Sequence, residues 1–403
     1  MSIILLKLIL LFAILIVLMK CRLNLSQAMG VTILAAFALY RFGSAGSLEL
    51  LKTATFTWET FSLVATVYVI FVIQGLLECR GELKKAQQHL SALFNNRRLN
   101  AAVAPVFIGL LPSAAAVTIA GEIVKDTCKD DIPIDLQAFI TTFFRHIPES
   151  ILPTYVSIIL MCSLSGVALS AFVLLQIPMT ALCFLLGYLL YARRIPKETG
   201  LPPCESKKKE ALGALSHLWS LLLIIVLVLA FGRSVLFSSC IAIVLLLLVH
   251  RFSPAELPAV LKGACRWNVL VSTYLIMVFK EILKASGAAE ELPKVLMQIP
   301  LPAFLIFMIL FFLSPFVVGS DATSAMFTVM AFTSIPGGGA PLAVLLQTTM
   351  YTAMQFSPTH ICIHMTADYF GVPFGRITRY MLPVAAILLP AAAIYYLLLT
   401  AVL

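Results

Sequence analysis

Charged residues are scarce in this sequence: they make up 12% of its 403 residues, whereas hydrophobic residues make up 61%. Water-soluble proteins carry about 25% charged residues, so this shortage excludes a soluble globular fold. Apolar stretches of about 18 residues or more recur along the chain, and each can cross the bilayer core as a helix. The strands of a membrane β-barrel would alternate in polarity instead. The composition therefore predicts an all-α polytopic membrane protein that contacts the lipid bilayer.

The common motifs of disulfide, metal and nucleotide sites are also missing. The nine cysteines include no CxxC pair, and most lie in apolar stretches, where a free cysteine acts as a small hydrophobe. No Walker A motif, dinucleotide-binding loop or nucleophile elbow occurs. His360 and His364 have the spacing of the HExxH zinc motif, but the glutamate that would act as a base is absent. We therefore expect no disulfide, no metal site, no cofactor and no enzyme of these classes.

The net charge of +9 does not indicate a nucleic-acid partner, because the basic residues are concentrated in short connecting segments. If the segment 197–210 is cytoplasmic, alternate loops place twenty Lys and Arg in the cytoplasm and five outside. This asymmetry is typical of a correctly oriented multi-pass protein. The first apolar stretch ends at Lys20 without the small residues of a signal-peptide cleavage site, which favours a transmembrane helix. We expect a prokaryotic cytoplasmic membrane location with both termini outside.

An internal repeat with a period of about 210 residues organises the chain. The matching pairs are Arg41 and Arg251, Lys52 and Lys262, Pro105 and Pro315, Gly109 and Gly319, and Pro148 and Pro358, with Trp58 and Trp267 one position out of phase. Each match is weak in so apolar a chain, but together they share one register. Duplicated helical bundles of opposite membrane orientation are typical of secondary transporters.

The repeat predicts two inverted repeats, each with five transmembrane helices plus one re-entrant hairpin. The predicted boundaries are 1–196 for the first repeat, with its hairpin at 101–124 and a broken helix at 136–165; 197–210 for the linker; and 211–403 for the second repeat, with its hairpin at 301–333 and a broken helix at 342–370. Five crossings are an odd number, so the second repeat must be inverted relative to the first. The polar, basic segment 80–98 is expected to be a loop.

Arg145, His146 and Glu149 interrupt an otherwise apolar segment of the first half. A charge at membrane depth costs at least about 2.5 kcal/mol, so such residues are expected to be paired or functional. Arg145 and Glu149 are four residues apart, which suits a structural ion pair on one helical face. Alternatively, Arg145 binds an anionic solute while Glu149 carries a proton or a cation. The sequence leaves both interpretations open.

Helix breaks in the second half carry hydroxyl and carboxylate groups. Asp321 lies at the tip of the predicted hairpin, where it either caps the second arm or binds an ion. Irregular backbone is tolerated at membrane depth only where it faces protein or a water-filled cavity, so the breaks of both halves predict one midplane site. The predicted substrate-binding residues are Pro112, Ser113, Arg145, His146, Ser320, Thr323, Ser357, Thr359 and His360, and the predicted ion-coupling residues are Glu149, Asp321 and Ser324.

Two motifs carry a resemblance to a known family. The segment Gly-Leu-Leu-Pro at 109–112, followed by Phe-Arg-His-x-x-Glu at 144–149, resembles the uncharacterised branch of the ion transporter superfamily known as domain of unknown function 401. The superfamily includes gluconate, citrate and C4-dicarboxylate carriers, arsenite carriers and sodium/proton antiporters. The resemblance implies coupled transport, with Na⁺ or H⁺ held at the hairpin tips, and relatives that are often dimers.

The sequence thus predicts a secondary active transporter of a small, anionic organic solute coupled to H⁺ or Na⁺. A Na⁺/H⁺ antiporter is the nearest alternative, since it needs only carboxylates. A membrane-embedded enzyme or lipid-handling factor is an alternative from another class. We expect no nucleic-acid partner, and a homodimer is left open.

Overall fold

The computed structural model describes residues 3–21, 23–94, 96–110, 115–198, 206–288, 291, 294 and 300–402. Within these ranges the regular structure is helical. The helices of the first half are Ile3–Lys20, Leu25–Tyr40, Gly43–Thr55, Trp58–Arg80, Glu82–Phe94, Arg97–Ile108, Ala115–Cys128, Ile134–His146, Val156–Ser165 and Leu169–Leu190. The helices of the second half are Lys207–Leu229, Val235–Val249, Leu257–Ala264, Trp267–Ala285, Ala303–Leu313, Pro315–Ser334, Gly339–Met354, Ile361–Phe370, Phe374–Thr378 and Met381–Val402. Short 3₁₀ turns occupy Ile147–Ser150 and Ala192–Arg194.

Five of the described helices are long and apolar enough to cross a membrane. They are Trp58–Arg80, Leu169–Arg194, Lys207–Leu229, Pro315–Ser334 and Met381–Val402. Large apolar side chains remain exposed along several of these helices, as expected for surfaces that face lipid. The chain is therefore a multi-pass helical membrane protein, as its composition predicts. The predicted total of ten crossings and two hairpins stays a prediction.

The segment expected to be a basic loop is mostly helical, so that expectation was wrong. Glu82–Phe94 forms an amphipathic helix that buries Ala86 and Leu90 and packs against Lys207–Leu229. The four-residue spacing of its buried positions matches the helical period, which the high polarity of the segment concealed. Glu82 is also buried and pairs with Lys85, so part of the polar character belongs to an interior contact.

The long apolar segments are interrupted where proline and glycine stand. Ile134–His146 ends just before Pro148 and is followed by the 3₁₀ turn Ile147–Ser150, because proline disfavours helix in the residue before it. The helix ending at Met354 stops before Pro358, and a new helix starts at Ile361. Gly319, with φ +79° and ψ 176°, breaks the hydrogen-bonded run of Pro315–Ser334 in a conformation that glycine adopts readily.

These interruptions lie in the protein interior and pack against one another. A Cβ on Gly109 would overlap with the backbone carbonyl of Arg145, so the end of the helix Arg97–Ile108 lies directly against the first break. The two halves also share an ion pair between Lys280 and Glu59. Lys280 is mostly buried, and this partner accounts for a lysine within an apolar helix.

Candidate functional site

The helix breaks of both halves open onto one cavity of about 330 Å³. Its polar and ionisable lining consists of Arg145, His146, Glu149, Tyr155, Ser157, Arg266, Ser320, Asp321, His360 and Cys362. Six of these residues belong to the set that the sequence predicted, and they come from both halves of the chain. Since ionisable groups inside a membrane are costly, this concentration marks the cavity as the candidate functional site.

The first break places a cationic side chain directly against a neutral imidazole. Nη1 of Arg145 donates to Nε2 of His146 over 2.9 Å. A guanidinium has only donors, so Nε2 must present its lone pair and the imidazole proton must lie on Nδ1. Nδ1 of His146 is 2.5 Å from the backbone carbonyl of Thr142, which accepts that proton. The ring is thereby held in one tautomer, with its Nε2 lone pair directed at Arg145.

His360 contributes a second oriented imidazole from the other half of the chain. Its Nδ1 donates to the carbonyl of Met354 over 3.2 Å, which leaves the Nε2 lone pair available. The rings of His146 and His360 meet edge to face with centroids 4.3 Å apart. Nitrogen atoms of both rings and the sulfur of Cys362 all lie within 4.8 Å of one another.

Two carboxylates, one from each half, face the same cavity. Glu149 lies close enough to both Arg145 and Asp321 to interact with them electrostatically. No hydrogen bond to the Asp321 carboxylate is found in the described part of the chain, so a helix-capping role for this residue gains no support. The cavity thus combines positive and negative groups, which suits a solute of mixed or negative charge accompanied by a cation.

Hydroxyl groups connect the second helix break to the segment that precedes Gly319. Ser357 and Thr359 both donate to the carbonyl of Pro315, over 2.8 and 2.9 Å. Thr323 donates to the carbonyl of Gly319 over 2.7 Å. Ser324 is buried beside the sulfur of Met350 at 3.5 Å, which directs its hydroxyl toward that thioether. The hydroxyls of Ser357 and Thr359 thus connect the two breaks.

The first half has a related connection. Tyr155 is buried, and its hydroxyl donates to the carbonyl of Gly109 over 2.5 Å. Predicted site residues Pro112 and Ser113 lie outside the described residues. In each half, therefore, a side chain near the helix break donates to a backbone carbonyl of the preceding interrupted segment, which is Gly109 in the first half and Pro315 in the second.

Arg266 is the main site residue that sequence reasoning missed. It directly precedes the helix Trp267–Ala285, and its Cζ lies 4.3 Å from the ring centroid of Phe71. A cation at a helix N-terminus gains nothing from the helix dipole, so helix stability does not explain its position. Phe71 and Arg266 line both the central cavity and a neighbouring cavity of about 240 Å³ that also contains Glu78 and Cys79. Its position directly before Trp267 does not distinguish it from the basic residues of the other connecting segments, so the sequence carried no signal for it.

The comparisons with known proteins agree with this architecture. The crystal structure of the YdaH transporter from Alcanivorax borkumensis is similar over 89% of both chains, with a TM-score of 0.62 and 14% identity. At this identity the similarity shows the fold alone. No curated protein matches the chain. The family profile described as "Protein of unknown function (DUF401)" matches residues 2–399, which confirms the resemblance that the two motifs indicated. The chain therefore belongs to the DUF401 family of multi-pass membrane proteins.

Proposed function

We propose that the protein is a secondary active transporter of a small organic anion, driven by protons through alternating access. The main support for this proposal is the cavity at the helix breaks. Each half of the chain contributes one arginine and one carboxylate to its lining. The similarity of its fold to a protein described as a transporter supports the proposal. The location we propose is a prokaryotic cytoplasmic membrane.

Anion binding is assigned to Arg145 and Arg266, which line the cavity from different halves of the chain. Planar guanidinium groups bind carboxylates through two parallel hydrogen bonds, and they remain charged at every physiological pH. The start of the helix Trp267–Ala285 adds its partial positive charge next to Arg266. Two guanidinium groups that line one cavity favour a solute with two anionic groups.

Proton coupling is assigned to Glu149 and Asp321. A proton-coupled site needs a carboxylate that can accept a proton at membrane depth, and both side chains line the cavity. A sodium site would need several oxygen ligands around one point. The hydroxyls of Ser357, Thr359 and Thr323 are not among the residues that line the cavity, whereas the carboxylates of Glu149 and Asp321 are. This difference favours protons over sodium.

Alternating access is assigned to the two predicted inverted repeats, with the predicted boundaries at 196 and 211. Arg41 and Arg251, which the repeat pairs, both adopt left-handed backbone conformations at φ 57° and 47° at the ends of their helices. Non-glycine residues rarely adopt this conformation, so its recurrence at matched positions supports a common ancestry of the halves. The stack of Arg266 on Phe71 separates the central cavity from its neighbour and is our candidate for a gate.

The requirement for Arg145 distinguishes this proposal from its alternatives. A Na⁺/H⁺ antiporter needs only carboxylates and should tolerate Arg145→Ala. A membrane-embedded enzyme or lipid-handling factor should convert or bind lipid and show no ion-driven uptake. The structural ion-pair explanation makes a different prediction: Arg145→Ala would unfold the protein, and Glu149→Gln added to it would restore folding.

The proposal is tested in two steps on the purified protein. A thermal-shift screen against organic mono- and dianions, with and without Na⁺, should identify a stabilising solute, because a ligand that binds only the folded state raises the Tm. Uptake of that solute into vesicles is then measured with an imposed pH gradient and no sodium. We expect the gradient to drive uptake in the wild type. Glu149→Gln should abolish that response, and Arg145→Ala should abolish uptake while the protein remains folded.

The matched control is Glu49→Gln, which changes an exposed carboxylate that does not line the cavity and should transport normally. Uptake that ignores the pH gradient but follows a sodium gradient would refute the proton assignment. Cation exchange that persists in Arg145→Ala would instead support the antiporter.

A further inference from the structure

The central cavity contains a cluster of soft donor atoms that anion transport does not require. His146, His360 and Cys362 each offer one ligand atom, and these atoms lie within 4.8 Å of one another. Imidazole nitrogen and cysteine sulfur are the ligands that Zn²⁺ prefers, and three protein ligands with one open position are typical of a zinc site that also binds a further molecule. We propose that these three residues form a binding site for a single transition-metal dication of the Zn²⁺ class.

The hydrogen bonds of the two imidazoles are those of oriented metal ligands. Thr142 accepts the Nδ1 proton of His146 at 2.5 Å, and Met354 accepts that of His360 at 3.2 Å. Both rings therefore present the Nε2 lone pair. Metal-binding histidines almost always donate their other ring proton to a carbonyl, a carboxylate or water, because this fixes the tautomer and the ring orientation. The backbone thus prepares both nitrogens before any metal arrives.

The Nε2 atom of His146 already accepts a hydrogen bond from a positively charged group, the guanidinium of Arg145. Its Nη1 donates to that lone pair over 2.9 Å, so the guanidinium stands on the lone pair that a metal would take. Metal binding and this hydrogen bond exclude each other. The carboxylates of Glu149 and Asp321 face the same cavity and offset part of the metal charge. Replacement of Arg145 by a neutral residue should therefore strengthen metal binding, which a purely structural role of the three ligands does not predict.

The nearby His364 provides a matched control. It lies on the same helix as Cys362, but its Nε2 donates to the carbonyl of Pro358 over 2.8 Å and its ring stacks on Phe374. His360 and His364 have the four-residue spacing of the HExxH motif, but His364 is not part of the proposed site. The second imidazole comes instead from His146, in the other half of the chain.

The test titrates Co²⁺, followed by Zn²⁺ in competition, into purified protein freed of any affinity tag. We expect one equivalent of Co²⁺ with a sulfur-to-cobalt charge-transfer band, displaced by Zn²⁺. Cys362→Ser should lose the band and bind at least tenfold more weakly, and His364→Ala should behave as the wild type. Arg145→Gln should bind at least tenfold more tightly.

A measurement on the unaltered protein keeps the test independent of folding defects in the variants. X-ray absorption of the zinc-loaded wild type should show one sulfur at about 2.3 Å and nitrogen ligands at about 2.0 Å. A shell without sulfur, an unchanged cobalt band in Cys362→Ser, or weaker binding in Arg145→Gln would each overturn the site. Because binding is measured without transport, failure of the metal site and failure of the proposed transport activity are distinguishable.

Discussion

The role of an arginine in this protein depends on what surrounds its side chain. Arg233 and Arg266 both stack on a phenylalanine, with Cζ 5.9 and 4.3 Å from the rings of Phe237 and Phe71. Only Arg266 lines the central cavity. A guanidinium that keeps its charge while stacked can still bind a carboxylate through its edge. The two arginines therefore form a natural pair for testing the second anion site.

Arg266→Gln should raise the KM for the transported anion about tenfold, because a charge-assisted hydrogen bond contributes about 1.5–3 kcal/mol. Arg233→Gln, which removes a similar stack away from the cavity, should leave the KM unchanged. The measurement is the concentration dependence of uptake in vesicles with equal amounts of each variant. Equal KM values for both variants would remove Arg266 from the site.

Glu82 illustrates a buried charge with a structural role. Its side chain is 3% exposed and lies 2.9 Å from Nζ of Lys85, 2.7 Å from Nδ1 of His217 and 4.0 Å from Nε2 of His250. Burial by itself raises the pKa of this carboxyl, but the hydrogen bonds from His217 and Lys85 outweigh it and hold the pKa below its usual 4.5. A carboxyl with a lowered pKa stabilises the fold above that pH, and the stabilisation is lost as the pH falls through the folded-state value.

Glu82→Gln should therefore lower the free energy of unfolding by about 1.5–3 kcal/mol at neutral pH, because the single oxygen of the amide can replace only one of the two charge-assisted hydrogen bonds that the carboxylate accepts. The difference from the wild type should shrink as the pH falls below 4.5, where the wild-type carboxyl becomes protonated as well. Thermal unfolding measured above and below pH 4.5 gives this difference in stability. The control is Glu49→Gln, which replaces an exposed carboxylate. A difference that is constant with pH would mean that the charge of Glu82 does not stabilise the fold.

At the scale of the helices, small residues and hydrogen bonds between the interrupted segments hold the helix breaks in place. Gly109 allows the end of Arg97–Ile108 to lie against the carbonyl of Arg145. Ser357 and Thr359 bind the carbonyl of Pro315. Unwound backbone inside a membrane needs such partners, because each unsatisfied group costs several kcal/mol.

Gly109→Ala should abolish uptake and lower the Tm, since the added methyl group would overlap with the carbonyl of Arg145 and push the two segments apart. Gly375→Ala is the matched control: it also adds one methyl group to a helical glycine, but there nothing lies within 4 Å of the new atom. Uptake and Tm are compared between the two variants. Normal uptake by Gly109→Ala would show that the close approach is not needed for function.

At the scale of the whole molecule, the alternating access that we propose depends on the predicted orientation of the two halves. The repeat and the distribution of Lys and Arg predict a cytoplasmic linker near Lys207 and an external C-terminus. The linker and the C-terminus bracket the second half, so its five predicted crossings would place them on opposite sides.

Single cysteines introduced as Lys207→Cys and Ala401→Cys should be labelled from opposite sides of the membrane by an impermeant thiol reagent. Among the described residues, the exposed native cysteines are Cys21, Cys79 and Cys240; these, and Cys204 close to Lys207 in the sequence, are first replaced by serine so that they do not react. Labelling is measured in intact cells and in inverted vesicles. Reaction of both sites from the same side would contradict the inverted-repeat arrangement.

The sequence by itself determined the class of the protein, its family and the places where its helices break. Sparse charge and long apolar runs require a membrane environment, and Pro148, Pro358 and Gly319 interrupt helices for local reasons. The free-energy cost of placing a charge at membrane depth singled out Arg145 and Glu149. These conclusions depend on local chemistry or on a repeat that can be read along one chain.

Tertiary structure alone decided which further residues join the predicted ones in the cavity. Arg266 and Cys362 carry no local signal, because an arginine before a helix and a cysteine in an apolar stretch are common. His146 meets His360 from the opposite half, whereas His364, with the more suggestive spacing, binds Pro358 instead. The amphipathic helix at 82–94 was hidden for the same reason, since its buried face is defined by the helix packed against it. Proximity between distant segments depends on how helices cross, and residue spacing along the chain does not encode that.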